Sequence, residues 1–283
     1  MLGRDGREIT TGTAALGVET DFYVVTDVDG NPTSMVEEGL LRDWDAKGAA
    51  VHRRLIEEDF PLDDESRMHF GLWMGLQWLR GRAARQTGQE LYDEINKLLI
   101  TLGLDLPAGL ADSYPGSRPP AGAGPGIPVR SLEHLPDEIK EILRDTDSYN
   151  FEPPKEHLVA SMIKGVPEAA APFIESQWFL VRASGPVLLT SDEPISLWRE
   201  PTPQNELMGV GPVNAHVIQM PLSPERCLVM LRRSASPDVV APVSDEPIAG
   251  INELTRRGWW SQLYRHPDGP VFPPLPPPLP PRR

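Results

Sequence analysis

The sequence predicts an α+β fold, with an N-terminal helical half whose central helix is buried against a mostly antiparallel sheet built from the C-terminal half. Three observations predict it. Helix-period patterns come first, between about residue 35 and residue 175, and strand-like runs follow them. One early helix, around FGLWMGLQWL (70–79), is apolar in nearly every direction, as a buried helix is. The later runs are joined by turn signals at Gly185-Pro186 and Ser223-Pro224-Glu225, which favour antiparallel neighbours.

Taken in order, ETDFYVVT (19–26) has the β-branched and aromatic content of a strand, and DVDGNP (27–32) reads as a turn. Ser34 and Glu37 have capping-box spacing and open a helix over 35–58. Its apolar stripe is Val36, Leu40, Trp44, Val51 and Leu55. Pro61 separates it from a second helix begun by Asp63, Asp64 and Glu65, whose carboxylates suit the positive end of a helix dipole. After a weakening at Gly88 the helical pattern resumes over 90–102. Residues 107–128, rich in Pro and Gly, read as a mobile loop. Helices are expected at 132–144 and 156–175, strands at 177–183, 186–191, 195–199, 216–223 and 226–233, and a last helix at 246–263. This predicts one domain over 1–268. The segment 269–283, dense in proline, reads as a disordered polyproline tail.

Charge and composition exclude several classes. With 27 Lys+Arg against 41 Asp+Glu the net charge is −14, which opposes the broad basic footprint that nucleic acid requires. The single cysteine makes neither an internal disulfide nor a thiolate zinc site. The opening residues lack the apolar core of a signal peptide, and the most apolar run is about half a membrane span. A soluble, cytoplasmic protein with no membrane partner is expected. Arginine far outnumbers lysine, which suits an anionic ligand and equally suits a GC-rich coding sequence.

Several segments together resemble the uncharacterised family DUF4238. They are Glu19-x-x-Phe22-Tyr23, the acidic pair Glu38 and Asp45, and Leu-Gln-Trp-Leu-Arg at 76–80. The Trp178 strand leading into Thr190-Ser191-Asp192-Glu193-Pro194, the Met220–Pro224 turn and Asn252 complete the pattern. The likeness covers about residues 10–265 and implies a fold and a set of positions, with no reaction attached. Members usually begin with a His-Tyr-Val-Pro-like segment, and the resemblance here starts past it.

Candidate site residues follow from chemistry at particular positions. Glu38, Asp45 and His52 recur at seven-residue intervals on one helix face, as a solvated stripe or as part of a metal site. His69, Trp73, Leu76 and Arg80 form one row of the apolar helix. An arginine there needs a carboxylate or backbone oxygens; its partner is either structural, such as Asp192 or Glu38, or an anionic ligand. Asp192 ends an apolar strand just before Glu193-Pro194. It either accepts backbone amides in a turn or faces a cleft as a general base or metal ligand. The repeat of the same four residues at 244–247 reads as a helix start. No nucleophile elbow, phosphate loop, zinc-protease motif or dinucleotide fingerprint is present.

Two functions remain open at this point. One is an enzyme-like protein whose pocket, lined by Asp192, Arg80, Glu38, Asp45 and His69, acts on an anionic small molecule or phosphate ester. No cofactor or metal is specified. The other is a non-catalytic binding protein with structural ion pairs, whose loop or tail contacts a partner. Pro277, Pro280 and Arg282 have the spacing that a proline-motif-binding groove accepts.

Overall fold

The computed structural model describes residues 1–3, 8–11, 23–26, 31–34, 36–105, 135–205, 208–232, 236–241, 244 and 246–271. The expected strand at 19–22, most of the turn at 27–32, the loop at 107–128 and the tail beyond 271 lie outside them. The chain divides into two compact units, Met1–Ala84 with Val159–Arg283, and Arg85–Leu158.

The elements run β1 (Leu2–Gly3), β2 (Val25–Thr26), β3 (Pro32–Thr33), α1 (Arg42–Ile56), α2 (Asp64–Arg80), α3 (Arg82–Asp105) and α4 (Asp137–Arg144). They continue with α5 (Lys155–Glu175), β4 (Gln177–Arg182), β5 (Thr190–Ser191), β6 (Ser196–Trp198), β7 (Val217–Ser223), β8 (Arg226–Leu231), β9 (Val239–Val240), α6 (Glu246–Gly258) and β10 (Gln262–Tyr264). The main sheet has the order β6-β7-β8-β4-β9, antiparallel except for the β4–β9 pair. The fold is α+β.

Strand period decides what each sheet face does. Trp178, Leu180, Ile218, Met220, Leu228 and Met230 alternate onto one face and are almost wholly buried. They form the core with Val51 and Leu55 of α1, Phe70 and Met74 of α2, and Phe173 of α5. Phe70 meets Trp178 edge-on at 5.9 Å. On its other side α2 lies against α5, where a Cβ on Gly75 would lie 3.0 Å from both Val166 O and Ala170 N, so the glycine lets the two backbones pack closely. The helix that is apolar in sequence is therefore the central one, with Met68 as its exposed exception.

Three boundaries differ from expectation. First, α2 and α3 break at Gly81 (ψ 144°), and the helix runs unbroken through Gly88. Arg82 and Arg85 therefore sit in the first turn of α3. Second, α6 stops at Gly258, and residues 262–264 form a strand between β1 and β5 in a separate antiparallel sheet. The run 186–191 is strand only at Thr190–Ser191, because Asn252 occupies the backbone groups before it. Its Oδ1 accepts from Leu189 N at 2.9 Å and its Nδ2 donates to Val187 O at 2.9 Å. Third, the Ser34 hydroxyl donates to the Glu38 carboxylate at 2.6 Å, and a π-helical turn (Glu37–Leu41) whose N-cap is Val36 precedes α1 in place of the expected Ser34–Glu37 capping box.

The end of α1 has an unusual residue. Glu58 N donates to Leu55 O and Asp59 N to Arg54 O, the paired bonds of a Schellman turn, so Glu58 occupies the left-handed position that glycine normally takes. Its φ is 64°. The carboxylate spans Arg182 (3.1 Å) and Arg226 (2.5 Å), which are cross-strand partners in β4 and β8. Those contacts hold two like charges side by side and offset the backbone cost.

Candidate functional site

Several residues singled out by sequence fall into two bonded groups, both within the larger unit. The first forms where α1 crosses α2. Gly48 gives the Trp73 indole a place against the α1 backbone, since a Cβ there would lie 2.1 Å from Trp73 Cγ. The indole N–H then donates to Asp45 Oδ1 at 3.1 Å. Arg80, two helical turns further along α2, donates from both terminal nitrogens to the same carboxylate, at 2.9 and 2.8 Å. Its guanidinium also lies over the Tyr23 ring, 5.3 Å from the centroid. The Gln77 amide satisfies both of its polar atoms when its oxygen accepts from Arg80 Nη1 at 3.3 Å and Trp73 Nε1 at 3.1 Å. Arg80 is 19% exposed and Asp45 is 41% exposed. His52, one turn past Gly48, stacks obliquely on Trp73 at 6.0 Å. Burial pushes its pKa below the ordinary histidine value, against a weaker upward pull from a hydrogen bond with the Leu222 backbone.

The second group is built from the Thr190–Pro194 turn. Asp192 Oδ1 accepts from Trp260 N at 3.0 Å, and Oδ2 accepts from Ser261 N at 2.8 Å and from the Ser261 hydroxyl at 2.5 Å. The carboxylate thus ties the segment after α6 to β5, beside the Asp192 N to Gln262 O bond at 3.0 Å. Next to it Glu193, only 6% exposed, accepts from Ala83 N at 3.1 Å and caps the start of α3. A side chain at Gly81 would meet that carboxylate at 2.2 Å, so the glycine that breaks the helix also admits its cap.

The five residues marked in the sequence are therefore not all together. Arg80 and Asp45 are bonded. Asp192 is bonded to the 260–261 segment, Glu38 is exposed and holds Ser34, and His69 is half-buried on α2. The anticipated partners of Arg80, Asp192 and Glu38, have other bonds, and Asp45 takes that place. Among the described residues no group of three or more His, Cys, Asp or Glu could hold a metal ion.

Sequence reasoning missed Arg67. Its Nε donates to Ile174 O at 2.8 Å, its terminal nitrogens bond Asp238 and Ser176 O, and its guanidinium lies 4.4 Å over Trp178. Asp238 in turn accepts from Trp178 N at 2.9 Å. Arg67 is as much an arginine on an apolar helix as Arg80, and the same need for a partner would have flagged it. Glu193 carried less signal, because nothing local distinguishes a buried acid from an exposed one.

A concave site lies on the opposite sheet face. A groove of about 530 Å³ runs between the sheet and α6, with Phe179, Val181, Val217, Val229 and Leu231 below and Leu254 above. Phe179, Val229 and Gln219 lie in one cross-strand row. Gln219 is buried and spends its amide N–H groups on Ile251 O (2.7 Å) and Thr255 Oγ1 (3.0 Å), fastening α6 over the sheet. Trp198 on the edge strand and the exposed Arg257–Glu253 pair form its polar margin. A second, more polar hollow of about 320 Å³ lies near Thr190, Pro224, Tyr264 and Arg265. Burial raises the Tyr264 hydroxyl pKa above its ordinary value, and the nearby Asp192 adds to this.

These features define an α+β protein with helices on the core side of a mostly antiparallel sheet and an apolar groove on the other. The chain belongs to the DUF4238 family of proteins of unknown function, whose pattern matches residues 2–268. No curated protein and no solved structure matches it. Among the described residues, no helix is long and apolar enough to cross a membrane.

Proposed function

We propose that this chain is a non-catalytic binding protein that takes an apolar small molecule in the groove between the sheet and α6. The observation that carries the reading is how the polar candidates are spent. Asp45 neutralises Arg80 through two contacts, and Asp192 accepts three hydrogen bonds from the segment after α6. A general base needs a free lone pair within reach of a proton, and an anion clamp needs an unpaired guanidinium. The groove has the volume of a small-molecule site and an almost wholly apolar lining.

An acid- and arginine-lined pocket acting on an anionic small molecule or phosphate ester is the second reading. One observation is on its side: Asp45 is 41% exposed, so an incoming anion could compete for Arg80.

Titration with the neutral apolar fluorophore N-phenyl-1-naphthylamine separates the two. The groove reading expects saturable fluorescence gain, quenching of Trp198 and a rise in melting temperature. A ligand at 100 times its dissociation constant adds about 2.7 kcal/mol. Gly250→Phe, at a groove position where a new side chain meets open space, should abolish binding while leaving the fold intact. Absence of probe binding, or a thermal shift with inorganic phosphate that Arg80→Ala removes, would overturn the proposal.

A further inference from the structure

The smaller unit carries an apolar stripe that the described residues leave exposed. One side of α3 is covered. Asp93 accepts from Phe151 N at 2.7 Å, Tyr92 meets His157 at 5.5 Å, and Lys97 bonds Asn150 and lies over Tyr149. Another side presents Leu91, Ile95, Leu98, Leu99 and Leu102, each 46 to 58% exposed. The spacing of Leu91, Ile95, Leu98 and Leu102 is four, three, four, the seam of a two-helix pair. Isolated exposed apolar residues need no explanation, but five on one side of about 16 Å of helix do.

We infer that this stripe is a self-association surface, on which α3 of a second copy packs antiparallel. Three observations select that occupant. The seam is self-complementary about a two-fold axis: with the axis between Asn96 and Lys97, Leu91 faces the second copy's Leu102 and Ile95 faces its Leu98. The charges beside it choose the direction. Glu90 and Glu94 flank the stripe and are exposed. A parallel pair would set each against its own copy, whereas the antiparallel pair places Glu94 near the second copy's Leu99 and separates the two Glu94 positions by about 7.5 Å along the axis. The area suffices as well. Half of five large side chains is roughly 500 Å² per copy, or about 1,000 Å² in all, the lower limit for a biological interface. Antiparallel packing also sets the helix dipoles head to tail.

The full chain should elute at twice its monomer mass in light-scattering chromatography at micromolar concentration. Ile95→Glu with Leu98→Glu, both at exposed positions, should halve that mass and leave the circular dichroism spectrum unchanged. Direction and register are read separately by mixing an Ile95→Cys chain with a Leu98→Cys chain under oxidation. The native Cys227 is buried and stays silent. The mixture should give a disulfide-linked dimer, and either chain alone should give little. A monomeric wild type, a dimer that survives the double glutamate variant, or cross-linking of each single-cysteine chain to itself would each overturn the inference.

Discussion

Gly48→Ala tests the geometry on which the Asp45–Arg80 group depends. In an exposed helix this exchange stabilises by about 1 kcal/mol, because alanine loses less backbone entropy. At position 48 the new Cβ would lie 2.1, 2.4 and 2.5 Å from Trp73 Cγ, Cδ1 and Cβ. The last of these contacts is next to the α2 backbone, so rotating the indole away does not clear it. Either α2 must move away from α1 or the side chain must leave its seat. Overpacking of this kind costs about 1–3 kcal/mol, and losing the indole bond to a half-exposed carboxylate adds about 1 kcal/mol. After the helix-propensity gain is subtracted, a net destabilisation of about 2 kcal/mol is expected. Urea denaturation followed by circular dichroism measures it, and Gly88→Ala supplies the control. Gly88 is also helical but has open space at its Cβ, so its replacement should stabilise by about 0.5–1 kcal/mol. A Gly48→Ala chain as stable as Gly88→Ala would refute the close approach of α1 and α2.

Three further outcomes follow from the same contacts. Asp192→Ala removes the acceptor of three hydrogen bonds and should cost about 2–3 kcal/mol, with Asp192→Asn recovering part, as thermal denaturation will show. Glu58→Gly relieves a left-handed glutamate while losing its bonds to Arg182 and Arg226, so it should lie near neutral. Glu58→Ala keeps the strain without the bonds and should be about 1–2 kcal/mol less stable than Glu58→Gly. The His52 imidazole is easier to protonate in the unfolded chain than in the folded one. Its contribution is fully present above the unfolded pKa near 6.5 and is lost as pH falls from there toward its lowered folded value. Denaturant midpoints measured from pH 7.5 downward should show this slope, and His52→Gln should flatten it.

The helices were legible because each carries its own period. The stripe Val51–Leu55 and the all-round apolar run from Phe70 to Leu79 announce burial without reference to anything distant. The hairpin at Ser223–Glu225 was equally plain, since turn chemistry is local. The helix break was misplaced because Gly81 and Gly88 look alike in sequence. Only the buried carboxylate of Glu193, far along the chain, makes the first a stop and leaves the second inside a helix. The sequence left Arg80 a carboxylate, backbone oxygens or an anionic ligand, and the choice of Asp45 among many acids depends on how α1 crosses α2.

By itself, then, the sequence determined the α+β class, the central helix, the main helices and the strands β4, β6, β7 and β8, and that Arg80 needed a partner. Those are consequences of periodicity and of the cost of burying charge, which each residue carries wherever it goes. Tertiary structure alone decided which acid met which arginine, that Asp192 became an anchor for the segment after α6, and that one sheet face was left with a hollow. Some of these pairings join residues well over 100 positions apart, 110 for Ala83 and Glu193 and 171 for Arg67 and Asp238, and no local rule reaches that far.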